Sequence, residues 1–268
     1  MSRKNVRVNM PVNMPAETIE LCEGIIEKNT ALGAASVLNA FFDMPAFGTK
    51  TVDAKALRKR AKKDEGESQS KYNQCAVKCG IAAGQNKQST GTLYVMVLSI
   101  RDFLLLKFRA TPESLSMYGY NVVVTQTEGK RNVRVDIPDD NPKSLLDLCT
   151  LINEKHIADG ATSILNDSEV DMTVFGTLLG DANVLLAAST ALDATKQSQN
   201  NSALTIIGYG EGQTAETEGT LYYMATGIRD RLLNKHAGNE EKLSEYTFDV
   251  VISSSSAGNG DTPPVTPP

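Results

Sequence analysis

Asn5-Val6-Arg7-Val8 returns as Asn132-Val133-Arg134-Val135, 127 residues further on. Gly91-Thr92-Leu93-Tyr94 returns as Gly219-Thr220-Leu221-Tyr222, and Ile100-Arg101-Asp102 as Ile228-Arg229-Asp230, both at a step of 128. The step changes once, between Asn166 and Asp171, where the second copy carries one extra residue. An insertion of that kind belongs in a loop. The chain therefore reads as a tandem duplication, and each copy tests which residues the other needs.

Working outward from these anchors, both copies read in the same order. Val6-Arg7-Val8 and Val133-Arg134-Val135 alternate with period two, which predicts a strand with its Arg pointing outward. A Pro-containing connector leads to a first helix, about residues 16–30 and 142–158. Pro15 and Pro142 suit a helix start. Ile19, Cys22, Ile25 and Ile26 recur at helical spacing, as do Leu145, Leu148, Cys149 and Ile152. Ser36-Val37-Leu38-Asn39 then matches Ser163-Ile164-Leu165-Asn166, and Phe47-Gly48-Thr49 matches Phe175-Gly176-Thr177. The expectation is a packed loop anchored by Phe47 and Phe175. A second helix is expected to start near Asp53 and Asp181 as N-caps and to run to about residues 78 and 207.

The third helix, about residues 92–108 and 220–235, shows one apolar stripe. Leu93, Met96 or Val97, Ile100 and Leu104 match Leu221, Met224, Ile228 and Leu232 in the other copy. A short fourth helix is expected around residues 112–117 and 240–246. Tyr120-Asn121-Val122-Val123-Val124 and Phe248-Asp249-Val250-Val251-Ile252 read as closing strands. Opening and closing strands of one repeat are expected to pair, because each is otherwise an open edge. The fold class is thus mainly α. It consists of two tandem three- to four-helix bundles, residues 1–126 and 131–253, each closed by a small sheet from its N- and C-terminal strands. Thr125 to Lys130 reads as a linker too short to be a flexible tether. Residues 254–268, rich in Ser, Gly and Pro, read as a disordered or extended tail.

A length of 268 residues suits two ordinary domains. The net charge of −5 argues against a general nucleic-acid binder. One basic run departs from that balance: Lys55, Arg58, Lys59, Arg60, Lys62 and Lys63. It is read as a solvated helix face, with an anionic partner as the competing reading. Met1-Ser2-Arg3-Lys4 is followed by no apolar core, so no secretory signal is visible. The longest apolar run, residues 93–106, is too short to span a bilayer. The expected setting is the cytoplasm or an assembled particle.

Few residues offer chemistry, and the repeat tests them. Cys75 and Cys79 sit one helical turn apart, which could be half a metal site. Their counterparts are Ala203 and Ile207, so they read as core. Cys22 and Cys149 correspond to each other on an apolar stripe. His156 aligns with Asn29 and His236 with Phe108, so neither histidine recurs. Arg101-Asp102 and Arg229-Asp230 are the polar candidates that do recur. Neighbours on a helix point about 100° apart, so one of each pair is expected to bond to a neighbouring helix or loop and the other to be solvated. Gly208-Tyr209-Gly210-Glu211-Gly212 lacks the flanking residues of a phosphate loop and reads as a flexible turn. No catalytic residue, metal or cofactor is expected.

Glu113-Ser114-Leu115-Ser116-Met117-Tyr118-Gly119-Tyr120-Asn121-Val122 matches Glu241-Lys242-Leu243-Ser244-Glu245-Tyr246-Thr247-Phe248-Asp249-Val250. With the Ile-Arg-Asp helix and the Ser-x-Leu-Asn loop, this closing motif resembles an uncharacterised helical module of Bacteroidetes-type bacteria. Thr247 departs from the Gly usual at that turn. The resemblance implies no catalytic residues. It does imply a junction to fibronectin-like domains, which a Pro-rich tail would suit. The expected function is a non-enzymatic structural or interaction protein, a building block or decoration of a phage or contractile-particle type of assembly. Its partners are other proteins or further copies of itself. The alternative is a small-ligand module with a pocket between the helices and the Ser-x-Leu-Asn loop. A hydrolase using Asp43 or Asp171 ranks last, because paired catalytic carboxylates cannot be read from this pattern.

Overall fold

A computed structural model describes residues 4–85, 87, 89–127 and 130–254. The chain is mainly helical, with two small antiparallel sheets. The first repeat gives β1 (Lys4–Asn9), α1 (Pro15–Leu32), α2 (Met44–Cys79), α3 (Leu93–Lys107) and β2 (Asn121–Thr127). The second gives β3 (Lys130–Asp136), α4 (Pro142–Asp159), α5 (Met172–Ile207), α6 (Leu221–Lys235) and β4 (Asp249–Ser254). A 3₁₀ helix precedes each closing strand, Pro112–Tyr118 and Glu240–Tyr246.

The strands do not pair within a repeat. β1 pairs with β4, from Lys4 opposite Ser254 to Asn9 opposite Asp249. β2 pairs with β3, from Asn121 opposite Asp136 to Thr127 opposite Lys130. The expected closure of each repeat on itself is therefore replaced by closure of each repeat on the other. The expected linker is mostly strand: residues 125–127 end β2 and Lys130 starts β3, while 128 and 129 lie outside the described residues. Ser253 and Ser254 belong to β4, and the rest of the expected tail also lies outside the described residues.

The compact units follow the strands, not the repeats. One joins residues up to 61 with those from 197 onward; the other is residues 62–196. The repeat boundaries expected at 126 and 131 thus fall inside the second unit. Each of α2 and α5 contributes one part to each unit.

Within the first unit, α1 buries Ile19, Cys22 and Ile25 against Leu221, Ala225, Ile228 and Leu232 of α6. Val8 and Val250 lie opposite one another on the ribbon and pack on this core. Within the second unit, Leu93, Val97, Ile100 and Leu104 of α3 meet Leu145, Leu148, Cys149 and Ile152 of α4. Of the two alternatives at the second stripe position, Val97 is fully buried and Met96 only partly. Ala225, not Met224, is the fully buried residue at the matching place in α6.

Both long helices begin earlier than expected. The peptide N–H of Ala46 donates to Asp43 Oδ1 at 2.9 Å, and those of Thr173 and Val174 donate to Asp171 Oδ1 at 2.9 and 3.1 Å. These side chains satisfy N–H groups that the first helical turn leaves without a partner. Asp53 and Asp181 are interior residues of α2 and α5, not caps. Phe47 and Phe175 are fully buried anchors, as expected, but they sit in the first turn of a helix and not in a loop.

Gly80 and Gly208 follow the last residues of α2 and α5 with φ of 83° and 108°. A side chain there would meet Thr92 in one unit and Thr220 in the other. Both glycines end their helices at a close contact, and the turn expected over residues 208–212 follows α5. Among the described residues, α5 is the one helix long and apolar enough to cross a membrane by length and composition. Only 22% of its most apolar stretch is buried.

Candidate functional site

The same groove is built once in each unit, where a ribbon leaves the sheet and α1 or α4 begins. In the first unit it has a volume of about 770 Å³. Arg7, Asn9 and Asp249 line it from the ribbon, Glu17 and Glu20 from α1, and Met10, Val12 and Met14 from the connector. In the second unit it has a volume of about 360 Å³. There Asp136 takes the place of Asn9, Asn121 of Asp249, Ile137 of Met10, Ser144 of Glu17 and Asp147 of Glu20.

Leu151 explains part of the difference in size. It lines the smaller groove beside Gly119, and its counterpart in α1 is Gly24. In the larger groove the connector is held from below. The Tyr209 hydroxyl donates to the Pro11 carbonyl at 2.6 Å and lies 2.9 Å from the Thr18 hydroxyl. Burial raises the Tyr209 phenol above its usual range, so it stays a donor throughout ordinary pH. Val12 and Met14 are left 62% and 49% exposed, which puts two large apolar side chains at the lip. Carboxylates, one amide, one guanidinium and apolar side chains suit contact with a basic, partly apolar surface. These lining residues make no nucleophile–base pair.

The residues singled out in the sequence lie elsewhere. In α3, Nε and Nη2 of Arg101 both donate to Asp102 Oδ1, at 2.9 and 2.7 Å. In α6, Arg229 does the same to Asp230 at 2.8 and 2.7 Å. Each pair closes on itself, so the expected bond to a neighbouring helix is replaced by a local one. An exposed pair of this kind adds little stability.

All four thiols are free and buried. Burial raises Cys22 to about 12 and pushes Cys149 higher still. The hydrogen bond that Cys79 donates to Cys75, then burial, holds Cys79 far up as well. Ala203 and Ile207 fill the matching places in the first unit's buried interior.

His156 Nδ1 lies 2.8 Å from the Ser163 hydroxyl. Asn29 does the same work in the other unit, accepting from Ser36 at 2.5 Å. The Ser-x-Leu-Asn loop is tied to the backbone in the same way: Asn39 donates to the Gly33 carbonyl, and Asn166 donates to that of Gly160. His236 caps the end of α6 and is held below the usual range by burial, then by Lys242 and Lys235. In the basic run, Lys55 bonds to Glu23 at 2.5 Å and Lys63 to Glu67 at 3.4 Å.

No periodicity in the sequence marks the groove, because each one needs a connector from one repeat and a turn from the other. A usable signal lay in the differences between copies at Asn9/Asp136, Gly24/Leu151 and Thr247/Gly119. Compared with protein-family models, with curated proteins and with solved structures, the chain matches none.

Proposed function

We propose that this is a non-enzymatic structural or interaction protein, a building block or decoration of a larger assembly of the phage or contractile-particle kind. The observation that carries the reading is the groove that recurs in both units with different linings. Two related but unequal docking places suit a component that meets two neighbours in an assembly. Two docking places on one chain also raise avidity beyond the affinity of either. The recurring polar pairs, by contrast, are spent on local bonds within α3 and α6.

Mass photometry over a range of concentrations, with co-purification from the native host, tests the reading. The expected result is self-association or a stoichiometric protein partner, lost in the groove variant Val12→Asp/Met14→Asp. A strict monomer with no stoichiometric partner would sink it.

A further inference from the structure

We propose that the two halves of the chain, residues 4–127 and 130–254, are keyed to each other. Each half takes the other half of the same chain as its partner and rejects pairing with itself. Each key is a pair of positions where the repeats differ and where both differing residues meet in one unit.

The first key is size. Gly24 of α1 packs against Thr247, and a Cβ on Gly24 would lie 2.2 Å from Thr247 Oγ1. In the other unit the sizes are reversed: Leu151 of α4 packs against Gly119, where a Cβ would lie 2.6 Å from Leu151 Cδ1. Within-half pairing would set Gly24 against Gly119, leaving a void, and Leu151 against Thr247, a steric clash. Either fault destabilises a packed contact.

The second key is charge. The ribbons place Asn9 opposite Asp249 and Asn121 opposite Asp136. Asn9 Nδ2 donates to Asp249 Oδ2 at 2.8 Å. Within-half pairing would set Asp136 directly against Asp249, and like charges opposite one another in a sheet repel.

The third key is polarity. Thr18, which is fully buried, bonds to Tyr209, whereas their counterparts Leu145 and Ile81 both belong to the apolar core of the second unit. Within-half pairing would set Tyr209 beside Leu145 and remove that bond. All three keys favour the observed exchange, and all three act against a second half paired with itself.

The full chain carries the test in two forms. In the first, Gly24→Leu is made alone and with Thr247→Gly. The single variant is expected to lower Tm by about 3–10 °C through overpacking. The double variant, which copies the Leu151–Gly119 contact, is expected to recover the loss. If each half closes on itself, the side chain introduced by Gly24→Leu fills the space beside Gly119 and Tm rises, since Leu also favours a helix over Gly. A rise, or a loss that Thr247→Gly leaves unchanged, overturns the proposal.

The second form does not depend on a destabilised variant. A protease site is inserted between Thr127 and Lys130, and the folded full chain is cut there. The cut chain is expected to elute as one particle until denaturant is added. Two folded particles of about half the mass would overturn the proposal.

Discussion

Asn9→Asp probes the exchanged ribbon most directly. The wild-type amide donates to Asp249 Oδ2 at 2.8 Å across the last paired residues of β1 and β4. The substitution removes that donor and sets two carboxylates face to face. A typical hydrogen bond contributes roughly 0.5–1.5 kcal/mol net, and the exposure of this one keeps it within that range. Two unit charges about 4 Å apart in water repel by about 1 kcal/mol. The two together give an expected loss of about 1.5–2.5 kcal/mol in 0.1 M salt. Part of it is electrostatic and should shrink in 1 M salt, where the screening length falls from about 10 Å to about 3 Å.

Urea unfolding followed by circular dichroism and tyrosine emission provides the assay, since the chain has 8 Tyr and no Trp. Asn9→Asp/Asp249→Asn reverses donor and acceptor and should restore most of the stability. Asn121→Asp should cost less, since Asp136 already accepts from Arg134 Nε at 2.7 Å, and Asp249→Asn should give no rescue. Coupling of position 9 to position 121 instead of 249, or a loss in Asn9→Asp that is indifferent to salt, would refute the exchanged pairing.

Three further outcomes are expected. Asp171→Ala should cost about 1–2 kcal/mol and Asp43→Ala about 1 kcal/mol, since Asp171 accepts from two peptide groups and Asp43 from one; equal stability of wild type and both variants in urea would show that neither caps its helix. The four thiols should react with a thiol reagent only on unfolding, because all are buried and the Cys22 thiol lies up near 12; fast modification of the native chain would contradict this. His236 is depressed in the folded state, so the unfolded chain binds its proton more readily. Its contribution is present above about pH 6.5 and is lost as pH falls through that value toward the folded one. His236→Phe, the residue type at the matching position 108, should flatten the decline of Tm between about pH 7 and pH 5.

The helices were legible because their evidence is local. Steps of three and four placed α1, α3, α4 and α6 to within a few residues, and Pro15 and Pro142 stand in their first turns. The starts of α2 and α5 were hidden by Pro45, Gly48 and Gly176, which read as loop residues until Asp43 and Asp171 are seen to cap them. The choice of strand partner was hidden for a different reason. Val6-Arg7-Val8 and Val133-Arg134-Val135 have the same alternation, so either can pair with either closing strand. Only the unlike residues around them, such as Asp136 and Thr247, tell the two closures apart. The groove was missed for the same reason, since it does not exist until a partner is assigned.

The exchanged ribbons have one more consequence. Lys4 lies opposite Ser254 at one end of β1 and β4, and Thr127 lies opposite Lys130 in β2 and β3. A short turn from Ser254 to Lys4, like the two-residue step from Thr127 to Lys130, would close the backbone into a ring. Opening that ring between Thr127 and Lys130 gives a circular permutant in which the second repeat precedes the first. Every contact in both units is kept, so the order of the two halves along the gene is free to reverse while the fold stays the same.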